Sequence, residues 1–510
     1  MGEINDRFME HFRLNAITIL EHPVLGSLHL DFCQNDDFPA GVYTSVIIGA
    51  NGIGKSHLLR TLAEVFCCLE SLHNGEDPVV PRCYFDLVYS SHRERMEFAN
   101  FRDVNPVMHG MRRYNQFVFK KQGVDVGARD MILPKRVIAS ATTITDKYVA
   151  KSTEMYRYKG LRNEKSPSST GTRTMVRKTV DSLLSSLDAK FGFRDELCEL
   201  LTHLGLQPRL ELSYNLRYKQ VFVREDMTRL ELQYIFEHQD QFFERRKTKL
   251  WGSFNFEKMR DDDIWKLDVV AEFYSRLARR GFDDGRQLLR YDLLQERDRV
   301  SEDREALKIM SQLDLLTYPS LRVFKNDENF VFEQSSSGES SLLCQMVSIM
   351  SDLEPNSLVL IDEPESSSHP NWQINYIGWL KKIFQRYCNC HFIISTHSHF
   401  LLTDLEPQTS DIVALEKRNG VIKDVSEGVN TFNWSVDDIL YRVFGVRNTR
   451  NRAFEEDIMD LYKMVSEGNE DIGRIERLIG KLSQVLLPGA DPLLEIINQA
   501  QKYVEAKRTL

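Results

Sequence analysis

Apolar and polar positions along this 510-residue chain follow two rhythms, one strand-like and one helical, and they alternate. Residues 12–32 alternate around Pro23 and Gly26 as two strands. Residues 42–48 form an apolar run that leads into a glycine-rich turn, and residues 57–66 then carry helical spacing. Further strands are expected at 83–89, 95–98 and 116–120, and a buried one at 134–142. Residues 179–204 space their apolar positions as a helix, and 210–223 alternate like a hairpin. The span 229–316 is dominated by charged amphipathic helices at 230–246, 261–280 and 301–316, none holding a heptad long enough for an extended coiled coil. Strand signals return at 321–324 and 329–332. They are followed by a helix over 340–353, an apolar strand over 357–361, a helix over 372–387 and a strand over 391–396. Beyond residue 420 the pattern turns helical, at 434–440, 455–465, 471–486 and 492–507.

Composition changes this picture little. Hydrophobic residues make up 42% and charged residues 28%, ordinary for a globular chain. No apolar run approaches the roughly 20 residues needed to span a bilayer. The N-terminal stretch is polar and acidic without a signal-peptide core, so a cytoplasmic protein with no membrane partner is expected. The eight cysteines (33, 67, 68, 83, 198, 344, 388 and 390) include no CxxC pair and read as free thiols. Net charge is −9, yet residues 109–178 hold 16 Lys or Arg against 5 Asp or Glu. That local excess suits either a phosphate-binding footprint or a solvated, charge-rich insertion.

The chemistry concentrates in four places. Gly49-Ala50-Asn51-Gly52-Ile53-Gly54-Lys55-Ser56 stands between the strand at 42–48 and the helix at 57–66, the setting a phosphate-binding loop requires. Its glycines let backbone N–H groups turn toward phosphate, and the helix N-terminus adds a positive dipole end. Asn51, Gly52, Gly54, Lys55, Ser56 and His57 are the expected nucleotide contacts, with Lys55 reaching the β- and γ-phosphates and Ser56 holding Mg²⁺. Leu358-Val359-Leu360-Ile361-Asp362-Glu363 ends an apolar strand in two acids. Asp362 is placed to share the Mg²⁺ with Ser56, and Glu363 to polarise a water for attack. Ser336, Gly338 and Glu339 form a Ser-x-Gly-Glu turn at a helix start, which offers a hydroxyl and free N–H groups to a phosphate. Ile394-Ser395-Thr396-His397 places an imidazole after a strand, able to meet a γ-phosphate or the attacking water.

In this order the motifs resemble the ABC-type ATPase heads of the SMC, RecF and OLD-like proteins. The run Asp362-Glu363-Pro364-Glu365-Ser366-Ser367-Ser368-His369-Pro370 is similar to the OLD-like variant. Ser335 stands at the usual Leu of the signature, and Ser368 at a position that is commonly apolar. The resemblance implies an α/β fold with an ABC-type (SMC/OLD-like) P-loop head, an inserted mainly helical domain and a C-terminal helical tail. The expected parts are an N-lobe at 1–150, the insert at 151–320, a C-lobe at 321–420 and a partner-docking region at 421–510. It also implies a head-to-tail dimer or higher oligomer around two ATPs, each completed by the signature turn of the other subunit.

Three further segments are similar to the PtuA family, the ATPases of Septu-type and retron-associated antiphage systems. They are Leu133-Pro134-Lys135-Arg136-Val137-Ile138-Ala139-Ser140, Tyr158-Lys159-Gly160-Leu161-Arg162, and 434–450 with its Trp434-Ser435-Val436-Asp437-Asp438 start. That resemblance implies a separate HNH nuclease partner of the PtuB kind, and in a retron a reverse transcriptase with its msDNA. No nuclease is expected in this chain, since 437–438 and 455–457 read as helical acids. A second reading, a RecF-like repair ATPase clamping DNA through 109–178, stays open. A transporter ATPase is disfavoured by the large insert.

Overall fold

A computed structural model of the chain describes residues 11–32, 42–101, 117–162 (except 144), 172–238 (except 188 and 218), 264–281, 288–426 (except 314, 326–327, 333–336, 367–368 and 388), 431, 439, and 452–508 (except 469–470 and 484–492). The chain divides into two compact units, residues 1–434 and 435–510.

The first unit is built on a seven-stranded sheet in the order β17-β16-β3-β15-β14-β8-β9. Its members are β3 (Tyr43–Gly49), β8 (Val137–Ala141), β9 (Tyr156–Lys159), β14 (Leu358–Asp362), β15 (His391–Ser395), β16 (Ser410–Arg418) and β17 (Val421–Asp424). From β16 to β9 every pairing is parallel, and β17 closes the edge antiparallel to β16. Strands β8, β14 and β15 are buried at every position. A parallel sheet is covered on both faces, which is why these segments read as unbroken apolar runs. Each fully buried Val, Leu or Ile contributes roughly 1.5–3 kcal/mol, so these strands anchor the unit.

Helix α1 (Lys55–Asn74) follows β3 and buries Leu58, Leu62, Val65, Phe66 and Leu69. Beyond it lies a six-stranded antiparallel sheet ordered β2-β1-β4-β5-β6-β7. Its strands are β1 (Phe12–His22), β2 (Gly26–Asp31), β4 (Tyr84–Ser91), β5 (Glu94–Ala99), β6 (Val118–Lys121) and β7 (Val124–Asp125). Phe66 meets Phe12 and Tyr89 edge-on, at centroid distances of 5.8 and 5.7 Å, so one continuous core joins the helix to both sheets.

The middle of the chain adds α2 (Thr172–Ser186), α3 (Phe193–His203), α4 (Arg229–Glu237), α5 (Trp265–Arg280) and α6 (Arg297–Gln312). A four-stranded antiparallel sheet, β11-β10-β12-β13, accompanies them, made of β10 (Leu210–Asn215), β11 (Leu288–Asp292), β12 (Ser320–Lys325) and β13 (Glu328–Val331). Helix α7 (Ser337–Asp352) leads back to β14, and α8 (Pro370–Ile383) joins β14 to β15.

Several expectations are corrected here. The single helix at 179–204 is two, because Gly192 takes a left-handed φ of 79° and starts α3 afresh. The hairpin at 210–223 does not form: β10 pairs with β11 and β12, and residues 219–222 make a helical turn. The strands near 321 and 329 join the insert's sheet across position 320, rather than standing apart from it. Strands β9, β11, β16 and β17 had no counterpart in the sequence reading. The segments 239–263 and 432–438, with 440–451, lie outside the described residues, and the PtuA-like stretch at 434–450 falls there apart from Ile439.

The basic span 109–178 is not a bare cationic surface. Seven of its 16 cations, at 120, 121, 135, 136, 157, 159 and 162, are answered by Glu97, Glu94, Glu354, Asp352 or Asp146. Residues 109–116 and 163–171 of it lie outside the described residues. The six described cysteines are free thiols.

The second unit contains α9 (Arg452–Ser466), α10 (Ile472–Ser483) and α11 (Leu493–Arg508) around a small core of Leu461, Met464, Ile475, Leu482, Ile497 and Val504. Among the described residues no helix is long and apolar enough to cross a membrane.

Candidate active site

Parallel order places the site. Strands β3, β15 and β14 are neighbours, with Ile47, Ser395 and Asp362 side by side at their carboxyl ends. Ligands of such sheets bind beyond those ends.

The turn after β3 needs its glycines. Gly49 has a φ of 156°, and a Cβ there would stand 2.7 Å from the Leu415 carbonyl oxygen of β16. Gly54 precedes α1 with a φ of 108° and offers no capping side chain, and no acid lies in the first turn. The first N–H groups of α1 thus have no side-chain cap from the helix itself, which suits an anion site.

Lys55 is 4% exposed, and its Nζ donates to the Gly49 carbonyl at 2.8 Å. The same Nζ stands 2.9 Å from Nε2 of His397. Burial pushes its pKa down to about 8, although Glu363, Glu365 and Asp362 pull the other way. A buried ammonium in this state gains from an incoming phosphate charge.

Asp362 is 2% exposed, and its Oδ1 accepts hydrogen bonds from Ser56 Oγ at 3.0 Å and from Ser395 Oγ. Burial raises its pKa, and the two hydroxyl hydrogen bonds oppose that rise. Ser56 and Asp362 thus present one hydroxyl and one carboxylate together. Among the described residues no group of three or more His, Cys, Asp or Glu could hold a metal. The pair fits Mg²⁺, which is commonly held by one or two protein oxygens with phosphates and water completing its shell.

Glu363 takes a left-handed backbone, φ 48°, uncommon for a residue with a side chain. Its N–H donates to Ser395 O at 3.0 Å, and its C=O accepts from Thr142 Oγ1 at 3.0 Å and Ser366 N at 3.2 Å. The turn aims the carboxylate at His397, 3.3 Å from Oε1 to Nε2. The hydrogen bond from His397 holds its pKa below the usual range, helped by the positive charge of Lys55. A partly exposed, ionised carboxylate beside an imidazole can orient water and accept its proton.

The structure brings Lys55, Ser56, Asp362, Glu363 and His397 together. Asn51 and Gly52 lie exposed on the loop, and His57 sits half-buried beside His22, ring centroids 6.1 Å apart. Ser336 lies outside the described residues. Gly338 and Glu339 open α7, and among the described residues no hydrogen bond links Gly338 to the loop at 49–56. The residue pattern alone assigns no role to Thr142, Ser395 or Glu365, although Glu365 stands in the Asp362–Pro370 run. Its carboxylate accepts the His397 backbone N–H at 2.6 Å.

Comparisons with known proteins bear on the class. Residues 193–403 match the family described as "AAA domain, putative AbiEii toxin, Type IV TA system". The chain is similar to the Septu protein PtuA of Bacillus thuringiensis, 28% identical over 149 residues, covering 28% of this chain and 35% of that one. It is similar also to "Retron Ec83 probable ATPase" of Escherichia coli, 27% identical over 207 residues, covering 38% and 36%. The chain thus spans about a third of the length of the curated relatives it matches. Among solved structures, the SMC head domain of Thermotoga maritima aligns over 82% of this chain and 100% of its own, at 11% identity and a TM-score of 0.35. An SMC head bound to the C-terminal winged-helix domain of ScpA aligns over 81% and 97%, at 9% identity and a TM-score of 0.37. Motif order, strand order and sequence likeness point the same way: the chain resembles the OLD/SMC-like ATPases and carries a P-loop on a mainly parallel α/β sheet.

Proposed function

We propose that the chain binds and hydrolyses ATP with Mg²⁺, dimerises around the nucleotide, and gates an HNH nuclease partner in antiphage defence. One observation carries the reading. The loop, Asp362, Glu363 and His397 form a tight cluster, while Gly338 opens a separate helix, and among the described residues no hydrogen bond joins it to that cluster. A half-site of this kind suits completion by a second copy, through Ser336, Gly338 and Glu339.

The residues divide the work. Lys55 and the uncapped start of α1 draw the phosphates in. Ser56 and Asp362 would hold Mg²⁺, which neutralises phosphate charge when bound. Glu363 orients a water and takes its proton, and His397 links that carboxylate to the γ-phosphate side of Lys55. Residues 421–510 would dock the partner, and in a retron context a reverse transcriptase with its msDNA would join. The sequence likeness to PtuA and the retron ATPase supports the defence setting. The competing reading, a RecF-like DNA clamp through 109–178, is weakened by the acids that pair with seven of those cations.

The test is co-expression with the genes flanking it, followed by affinity purification through this chain. An HNH protein should co-purify and its nuclease activity should change with ATP. Recovery of no nuclease, together with salt-sensitive, ATP-dependent duplex binding by the isolated chain, would favour the DNA clamp instead.

A further inference from the structure

Glu365 lies in the turn that carries the reacting carboxylate, and its own carboxylate reaches across to the loop at 396–398. Its Oε1 accepts the His397 backbone N–H at 2.6 Å, and its Oε2 is closed off from solvent. The loop at 396–398 has other ties. Thr396 N–H donates to Ile47 O at 3.0 Å, and Ser398 Oγ donates to Gln373 Oε1 at 2.6 Å. Those ties anchor the loop to β3 and to α8. Among the described residues the 363–366 turn is tied to strand β15 and the loop after it by the Glu363 N–H to Ser395 O, at 3.0 Å, by the His397 ring against the Glu363 carboxylate, and by the Glu365 carboxylate, which takes the His397 N–H and a hydrogen bond from the Thr396 side chain. The first fixes where Glu363 begins. The last fixes the peptide that carries the His397 ring, and that ring faces both Glu363 and Lys55.

We infer that Glu365 is a positioning residue: its carboxylate clamps the His397 peptide to the turn, so that the imidazole and Glu363 meet the γ-phosphate as one unit. The inference rests on the ATPase reading of the site. A charge-assisted bond from a backbone N–H to a carboxylate is short and directional, which suits a clamp on a loop. Groups that orient a reacting side chain commonly matter nearly as much as the side chain itself.

The experiment uses the full chain with Glu365→Gln and Glu365→Leu, each alone and combined with His397→Ala. ATP turnover, KM for ATP and melting temperature are measured for each. Glu365→Gln keeps an oxygen acceptor for the N–H, so its kcat should stay within about threefold of wild type. Glu365→Leu should lose about 10–100-fold in kcat with KM nearly unchanged, the scale on which lost orienting groups act. In the His397→Ala background, Glu365→Leu should add nothing, because its effect passes through that residue. A Glu365→Leu enzyme as fast as wild type overturns the clamp, as does an effect that multiplies independently with His397→Ala. Equal loss in Glu365→Gln and Glu365→Leu overturns it too.

Should Glu365→Leu fail to fold, hydrogen exchange of the His397 amide in the wild type and in folded Glu365→Gln decides. Slow exchange in both supports the clamp, and exchange in the wild type as fast as that of an unbonded amide overturns it. A wild type without turnover, or a Lys55→Ala variant as active as wild type, overturns the ATPase reading itself. A dead Lys55→Ala beside a fully active Glu365→Leu overturns only the clamp.

Discussion

Glu363→Gln is expected to slow ATP hydrolysis by about 100–1,000-fold while ATP stays bound, within the span a lost general base accounts for. The amide keeps the shape of the carboxylate but cannot accept the proton of the attacking water. Nothing else in the site should shift, because the turn is held by backbone contacts from Ser395, Thr142 and Ser366 rather than by the Glu363 side chain. Neither Lys55 nor Ser56 nor Asp362 depends on it for a hydrogen bond. The carboxylate is suited to the task, since the His397 hydrogen bond and the charge of Lys55 keep it ionised at neutral pH. Single-turnover hydrolysis and nucleotide retention on the same preparation check both halves. Bound ATP that outlasts turnover should also trap the closed dimer, visible as a larger species by sedimentation. Equal rates in wild type and variant would remove Glu363 from the chemistry.

Lys55→Ala should act at the earlier step, on binding. The ammonium would make two charge-assisted hydrogen bonds to phosphate oxygens, each worth about 1.5–3 kcal/mol net. Their loss predicts an affinity weaker by at least about 100-fold. The ligand-free protein should melt close to wild type, because burial already penalises the ammonium and pushes its pKa down to about 8. Titration with a fluorescent ATP analogue, beside a thermal scan without nucleotide, separates the two effects. Strong binding by the folded variant would mean that the backbone of the loop holds the phosphates alone.

How much of this was legible beforehand depended on where each segment finds its partners. The stretch from β3 through Lys55 and Ser56 could be read, because strand, glycine turn and helix are adjacent in the chain and each has its own periodicity. The strand ending in Asp362 could be read for a related reason: full burial leaves an unbroken apolar run. Strand β10 could not, because its neighbours β11 and β12 lie roughly 80 and 110 residues downstream, and the local alternation suggested a hairpin instead. Strand β16 mixes a buried first half with an exposed, charged second half, so neither period dominates. At the site, the residue types were visible but not the backbone. Nothing in a residue string announces that Glu363 adopts φ 48° or that Glu365 reaches across to the His397 N–H. Ser395 gave no signal beyond its place at a strand end, and Thr142 sat at the end of a strand whose neighbour β14 is more than 200 residues away.

The central claim is that each nucleotide site is shared between two copies of the chain. The most direct measurement mixes two defective proteins, Lys55→Ala, which spoils the phosphate loop, and Gly338→Asp, which spoils the signature turn. Each alone should be nearly inactive. In a mixed dimer, the Lys55→Ala subunit supplies an intact Gly338 and the other supplies an intact Lys55, so one whole site is rebuilt. The account predicts that ATP hydrolysis returns on mixing. A mixture as inactive as its two parts, with both proteins folded and able to associate, would contradict it, and so would a Gly338→Asp protein that hydrolyses ATP at the wild-type rate.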